Sequence, residues 1–194
     1  MSIILLCSTL LPSVSVSAAF TPKFALHSEG VYMVNLDTDI VIVSKNADKK
    51  LTPASTTKIM TALVALENIK DFNAKVVVNS TATDEFWSGN PNYEGPSTAD
   101  IRSGQENVTY WDCLYALMVC SACEAGNILA VNIAGSIPDF VAMMNAKAAE
   151  IGCTGTHFAN TQGLYSEDNY TTARDLYLIT RYAMDNYPGF MTIC

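Results

Sequence analysis

Leu51-Thr52-Pro53-Ala54-Ser55-Thr56-Thr57-Lys58-Ile59-Met60-Thr61-Ala62-Leu63 joins the start of a helix to a candidate nucleophile and a candidate base. The apolar residues that follow recur every three to four positions. Ile59, Leu63 and Leu66 form one stripe and Met60 and Val64 widen it, which predicts a helix from about Ser55 to Asn68. A serine at such an N-terminus lies where unpaired backbone N–H groups and the positive end of the helix dipole favour negative charge on its oxygen. Lys58 stands one turn further on the same face, within reach of the Ser55 hydroxyl. A lysine accepts a proton near neutrality only when desolvation or a neighbouring cation lowers its pKa, so the pattern also requires a buried pocket. Four residues are a weak motif alone, and the competing reading of Ser55 is a plain helix cap.

Before this segment, Val31 to Asn35 and Ile40 to Lys45 are β-rich runs, and Leu36-Asp37-Thr38-Asp39 between them reads as a hairpin turn. Beyond it, Ala74 to Asn79 is a short candidate strand. Thr83 to Gly104 is rich in Gly, Pro, Ser and Asn and reads as mostly loop, with Phe86, Trp87 and Tyr93 as anchors. From Thr109 the pattern is helical. Thr109 and Asp112 resemble a capping box ahead of Trp111, Leu114, Tyr115 and Met118. A second helix is expected from about Ser121 to Ala134, a third from Pro138 to Ile151, and a last one after Thr172 and Asp175.

The 194 residues are 49% apolar and 15% charged, with a formal net charge of −8 and no Lys/Arg cluster, which argues against nucleic acid as a partner. Ile3 to Leu11 is an apolar run followed by small residues at 16–19. It reads as a secretory signal over 1–19, too short to span a bilayer, and the competing reading is a buried N-terminal element. Six cysteines at 7, 113, 120, 123, 153 and 194 would leave an odd number after signal removal, so no disulfide framework is expected. Cys120 and Cys123 have no second ligand pair and read as small helix residues rather than a metal or redox site. His27 and His157 are far apart in sequence, and no metal or organic cofactor is implied.

The segment around Ser55 closely resembles the active-site segment of the serine-type D-alanyl-D-alanine carboxypeptidases, the low-molecular-weight penicillin-binding proteins. Phe158-Ala159-Asn160-Thr161-Gln162-Gly163-Leu164 and Tyr170-Thr171-Thr172-Ala173-Arg174-Asp175 resemble two further segments of that family, in the family's order. The resemblance implies an α/β (α+β) fold of the β-lactamase/transpeptidase-like kind. In that fold an antiparallel sheet has flanking helices, and a helical lobe is inserted between its early and late strands. It assigns the sheet part to about 25–82, the helical lobe to about 83–170 and the last helix to about 172–186, within a partial catalytic domain over 20–194. It further implies that Ser55 attacks the D-Ala-D-Ala end of peptidoglycan stem peptides to form an acyl-enzyme, with Lys58 as base and β-lactams as covalent inhibitors. The expected setting is the cell envelope, outside the cytoplasm. Association with the membrane surface through a C-terminal segment beyond this chain would follow the family's habit.

Two departures accompany the resemblance. The family's S-x-N motif falls on Ser121-Ala122-Cys123: Ser121 is kept as a proton shuttle, and Cys123 puts a weak thiol where the substrate-binding amide should be. Asn127, one turn on, is the alternative amide for substrate binding. The K-T-G strand that should hold the substrate carboxylate is absent from these residues, as are the late strands of the sheet. The chain as given is therefore expected to be poorly active. A β-lactamase of the same fold is one alternative, although Glu150 and Glu167 both lack the local pattern of its deacylating carboxylate. A non-catalytic module that recognises peptidoglycan is the other.

Overall fold

The computed structural model describes residues 22–87 and 95–194. The expected signal, Cys7 and Tyr93 lie outside the described residues. Val31–Val34 (β1) and Val41–Lys45 (β2) form an antiparallel pair with Val31 opposite Lys45 and Met33 opposite Val43. Asn35 closes the turn between them. Its side-chain oxygen accepts from the N–H groups of Asp37 and Thr38, both at 3.0 Å, so a local polar cap replaces the missing ladder bonds.

Six α-helices follow among the described residues, α1 (Thr57–Asn68), α2 (Ser80–Trp87), α3 (Tyr110–Val119), α4 (Cys123–Ala134), α5 (Ile137–Ile151) and α6 (Ala173–Asn186). α1 is buried along most of its length: Met60, Ala62, Leu63 and Ala65 have no exposed surface. It packs against α3, α4, α5 and α6. Leu114 and Leu117 of α3, Ile128 and Leu129 of α4, Phe140 and Met144 of α5 and Ile179 of α6 complete the core around it. Each such side chain contributes about 1.5–3 kcal/mol of burial. β1 rests on α6, where Arg174 bridges the two layers. Its guanidinium pairs with Asp48, lies over the Tyr32 ring at 4.5 Å and donates to the Tyr32 hydroxyl at 2.9 Å.

The caps fall where the sequence puts them. Thr109 and Asp112 satisfy each other's backbone N–H, and Thr172 accepts from Asp175 at the head of α6. Ser136 caps α5, and Gly135 and Gly152, both left-handed, end α4 and α5. Two expectations fail. The segment 74–79 forms no strand. It makes one isolated bridge, Lys75 with Thr109, and single bonds from Val76 to Val108 and from Gly104 to Val78, both at 2.9 Å, while the Asn132 side chain takes both backbone groups of Val77 at 2.7 and 2.8 Å. The loop expected from Thr83 begins as α2 instead. Asn79 supplies its first-turn acceptor, bonding the Ala82 N–H at 3.1 Å, and Ala82, Thr83 and Phe86 bury one face. Trp87 ends α2 under the Arg102 guanidinium, 4.2 Å from its ring centroid.

Candidate active site

Ser55 does not sit in α1 itself. Ala54–Thr56 form a 3-10 turn that leads into the helix at Thr57. Ala54 is held left-handed at φ +47, and both the N–H and the hydroxyl of Thr56 return to the Pro53 carbonyl, at 3.2 and 2.6 Å. The opposing wall explains the turn. Gly163, at φ +90, lies so close that a Cβ there would stand 1.8 Å from the Ala54 carbonyl oxygen. Tight contact of the two backbones therefore fixes the kink that turns Ser55 outward.

Three polar side chains converge at this turn. Lys58 Nζ lies 3.3 Å from Ser55 Oγ and donates to the Gln162 carbonyl at 2.7 Å. Ser121 Oγ approaches Ser55 Oγ from the other side at 3.1 Å. Ser55 is exposed to the cleft, whereas Lys58 is only 3% exposed. Burial pushes the Lys58 amine below its usual range, and the neighbouring Cys123 thiol and Glu124 carboxylate oppose that shift. The Lys58 amine is thus shared between the Gln162 carbonyl and the Ser55 hydroxyl, within the distance a proton transfer requires.

The elements that hold these groups are far apart in sequence. Ser121 stands before α4 at φ +55, a left-handed backbone that aims its hydroxyl across the cleft, and Ala122 rather than Ser121 is the cap residue of α4. Ser121 is therefore not a helix cap. Cys123, 3% exposed, lines the cleft beside Lys58, and its N–H donates to the Ser97 carbonyl at 2.8 Å. Burial raises its thiol above the ordinary range while Lys58 draws it back. Glu124, fully buried, accepts from the N–H groups of Ala99 and Ile101 at 2.7 and 3.3 Å, and its second oxygen has no partner among the described residues. It pins the segment that walls the cleft and places a negative charge behind Lys58.

The 160–164 loop is bonded to α1 at two points. Thr61 donates to the Thr161 carbonyl at 2.6 Å, one turn from the Lys58 bond to Gln162. Asn160 folds the loop by accepting from Gly163 N–H at 2.7 Å and donating to the Leu164 carbonyl at 2.9 Å. A two-bond bridge between Leu51 and Thr171, at 2.8 and 2.9 Å, then ties the segment ahead of Ser55 to the start of α6. The first two quoted segments thus meet around one cleft of about 300 Å³, bordered by Ser55, Lys58, Cys123, Gln162 and Gly163, while the third, 170–175, lies outside its lining and is tied to the first through Leu51.

Asn127 does not border this cleft. It lines a larger neighbouring cavity of about 520 Å³, donating to Glu85 at 2.5 Å and accepting from Thr161 at 2.7 Å. Glu124, Gln162 and Gly163 were given no role by the sequence, although the last two lie inside a quoted segment. Glu150 is paired with Lys147 at 2.7 Å on α5, and Glu167 is exposed and outside the cleft lining. His157 bonds the Asp168 carbonyl through Nδ1 at 2.7 Å and bridges to Tyr170, away from the serine. The five cysteines among the described residues are all free, and Cys120, expected to be buried, is exposed at the end of α3. No group of three His, Cys, Asp or Glu residues able to hold a metal ion occurs among the described residues.

Known proteins are similar to this chain in sequence and in fold. D-alanyl-D-alanine carboxypeptidase DacC of Escherichia coli (strain K12) is 34% identical over 149 residues, 76% of this chain and 37% of its own length. The D-alanyl-D-alanine carboxypeptidase of Streptomyces sp. (strain K15) is 32% identical over 176 residues, 87% of this chain and 58% of its own length. The chain thus spans between about two fifths and three fifths of these relatives. The crystal structure of the Streptomyces K15 DD-transpeptidase superposes with a TM-score of 0.79 at 32% identity, covering 89% of this chain and 66% of that one. The family model described as D-alanyl-D-alanine carboxypeptidase matches residues 15–194, and the chain belongs to that family.

Proposed function

We propose that this chain supplies the nucleophilic centre of a penicillin-sensitive serine D-alanyl-D-alanine carboxypeptidase acting on peptidoglycan stem peptides outside the cytoplasm. Ser55 Oγ attacks the carbonyl between the two terminal D-alanines as Lys58 Nζ takes its proton. The tetrahedral intermediate expels the terminal D-alanine, whose nitrogen receives a proton through Ser121 Oγ. Water then attacks the acyl-serine ester, releasing the shortened peptide and restoring the hydroxyl. Cys123 contacts the bound peptide from the α4 side of the cleft. The reading rests on one observation: an exposed serine oxygen held between a buried amine at 3.3 Å and a second hydroxyl at 3.1 Å.

Treatment with benzylpenicillin tests this reading. The expected product carries one intact penicillin on the peptide that contains Ser55, and S55A carries none. An unlabelled protein, or label retained by S55A, would overturn the proposal.

One observation favours a second outcome for the same acyl-enzyme. Solved variants of the Streptomyces K15 DD-transpeptidase replace a serine with alanine and, separately, a cysteine two positions further on. That is the spacing of Ser121 and Cys123 here. Transfer of the acyl group to an amine, in place of water, is therefore the second reading. Adding a glycyl acceptor to a D-Ala-D-Ala peptide separates the two by the ratio of cross-linked to hydrolysed product.

A further inference from the structure

The Lys58 amine ends a flexible stem, so its place 3.3 Å from Ser55 Oγ depends on the group that holds it from the other side, the Gln162 carbonyl at 2.7 Å. That carbonyl lies in the 160–164 loop, which belongs to no strand or helix, so no ladder fixes its direction. The backbone shows what does. The Gln162 carbonyl and the Gly163 N–H are opposite ends of one rigid, planar peptide unit, and the Gly163 N–H donates to Asn160 Oδ1 at 2.7 Å. Lys58 and Asn160 therefore grip the two ends of the same plane.

The preceding peptide unit repeats the arrangement. Its carbonyl, from Thr161, accepts from Thr61 at 2.6 Å, and its N–H, from Gln162, donates to the same Asn160 Oδ1 at 3.3 Å. Two side chains one turn apart on α1 thus take successive carbonyls of the loop, while a single side-chain oxygen takes both of the matching N–H groups. The Asn160 carboxamide is itself oriented, because its Nδ2 donates to the Leu164 carbonyl at 2.9 Å. The start of the loop is anchored independently at Phe158, whose N–H and carbonyl both bond the Asn145 side chain at 2.8 Å. Asn160 borders the 520 Å³ cavity and not the serine cleft, so it reaches the nucleophile only through these peptide planes. Hydrogen bonds in series polarise one another, so the bond at Gly163 N–H also makes the Gln162 carbonyl a stronger acceptor for Lys58.

We propose that Asn160 is the positioning residue for the proton acceptor of this site, holding the peptide planes whose carbonyls dock Lys58 against Ser55. The assignment rests on the function proposed above and deepens it. Asn160 touches none of the reacting groups, which remain Ser55, Lys58 and Ser121. Without its oxygen the N–H of buried Gly163 has no partner, so the plane turns to find one and carries the Gln162 carbonyl away from Lys58.

The test is the acylation of Ser55 by a fluorescent penicillin, followed over penicillin concentration and pH on the chain or the longer polypeptide that carries it. N160A is expected to lose about 10² of the limiting acylation rate, with the half-saturating penicillin concentration kept within about twofold. Its rising limb should move to lower pH, because the protonated amine has lost a carbonyl acceptor. N160D keeps an oxygen for Gly163 and adds a negative charge near the amine. It should hold the limiting rate within about tenfold of the unaltered protein and move the limb the opposite way, to higher pH. Cys123 and Glu124 face Lys58 from α4 and Tyr165 borders its cleft, and all three are unchanged in both variants, so opposite displacements belong to position 160. An asparagine that only stabilises the loop would lower the rate in both variants without moving either limb, and that result overturns the proposal. So does an N160A protein with an unchanged limiting rate. If N160A does not fold, N160D decides alone: a limb at higher pH supports the assignment, and a limb in its original place overturns it. Failure of the unaltered protein to take penicillin at Ser55 overturns the proposed function and the assignment with it.

Discussion

Lys58 carries the pH dependence expected of this site. Burial lowers its pKa, so the amine is protonated and inert below that depressed value and able to accept the Ser55 proton above it. The rate of Ser55 acylation should therefore climb as pH rises through the lowered value. K58R, which keeps the charge but cannot shed its proton, should lose about 10²–10⁴ of that rate, read as penicillin capture at Ser55. Glu124 acts on the same limb. Its buried carboxylate opposes the lowering of the Lys58 pKa, so E124Q removes that opposition and lets the amine lose its proton at still lower pH. The rising limb of the acylation profile should move to lower pH in E124Q, and a limb that stays in place would remove Glu124 from the electrostatics of the site. Ser55 and Lys58 were legible in the sequence because four consecutive residues and a helical period encode their meeting. Glu124 was not, since its effect depends on a carboxylate being enclosed by loop 95–101 and α3, which no local pattern records.

At the level of elements, most of what is specified within one turn was readable, α2 being the exception, and what depends on a distant partner was not. The hairpin, the Thr109 and Thr172 caps and the glycine ends of α4 and α5 all follow from neighbouring residues. The segment 74–79 has strand-like composition, but its backbone bonds go to scattered groups of 104–110 and, at Val77, to the side chain of Asn132, 55 positions beyond. α2 was hidden by polar residues that turn out to be its cap and its exposed face. The most consequential distant contact is the approach of the 160–164 loop to the Ser55 turn. Gly163→Ala would drive a Cβ into the Ala54 carbonyl and would also demand φ +90 of an alanine. The loop must withdraw, taking the Gln162 carbonyl from Lys58. The expected cost is about 2–4 kcal/mol of stability, the range of a backbone clash at a special conformation, together with loss of penicillin capture. A G163A protein that melts like the unaltered chain would show that the loop yields without strain.

Across the whole molecule, the cleft is assembled from residues near 51–58, 95–97, 121–123 and 162–165, so its geometry depends on how α1 is held against α5 and the segments that follow. Lys147 on α5 is the polar clamp of that contact. Lys147 is buried, 8% exposed, and its amine reaches Glu67 at the end of α1 at 2.8 Å and Glu150 on its own helix at 2.7 Å. Burial opposes its charge, but the two carboxylates outweigh burial and raise its pKa, and Lys147 in turn lowers that of Glu150. The signs fix the pH window. The lysine contribution is fully present below the ordinary lysine range and is lost only in strong alkali, as pH passes the raised value. The Glu150 contribution is present above the ordinary carboxylate range and is lost as pH falls through its lowered value. K147M keeps the methylene packing and removes the charge, leaving Glu67 without its cationic partner. The cost should fall between the values for exposed and buried pairs, about 2 kcal/mol, which corresponds to about 5 °C in the melting temperature of a chain this size. That gap between K147M and the unaltered chain should narrow as pH falls below the carboxylate range, because acid neutralises the carboxylates that make Lys147 stabilising. Thermal melts across an acid series check this directly. A gap of constant size would mean that the methylene stem of Lys147, not its charge, joins α5 to the nucleophile helix.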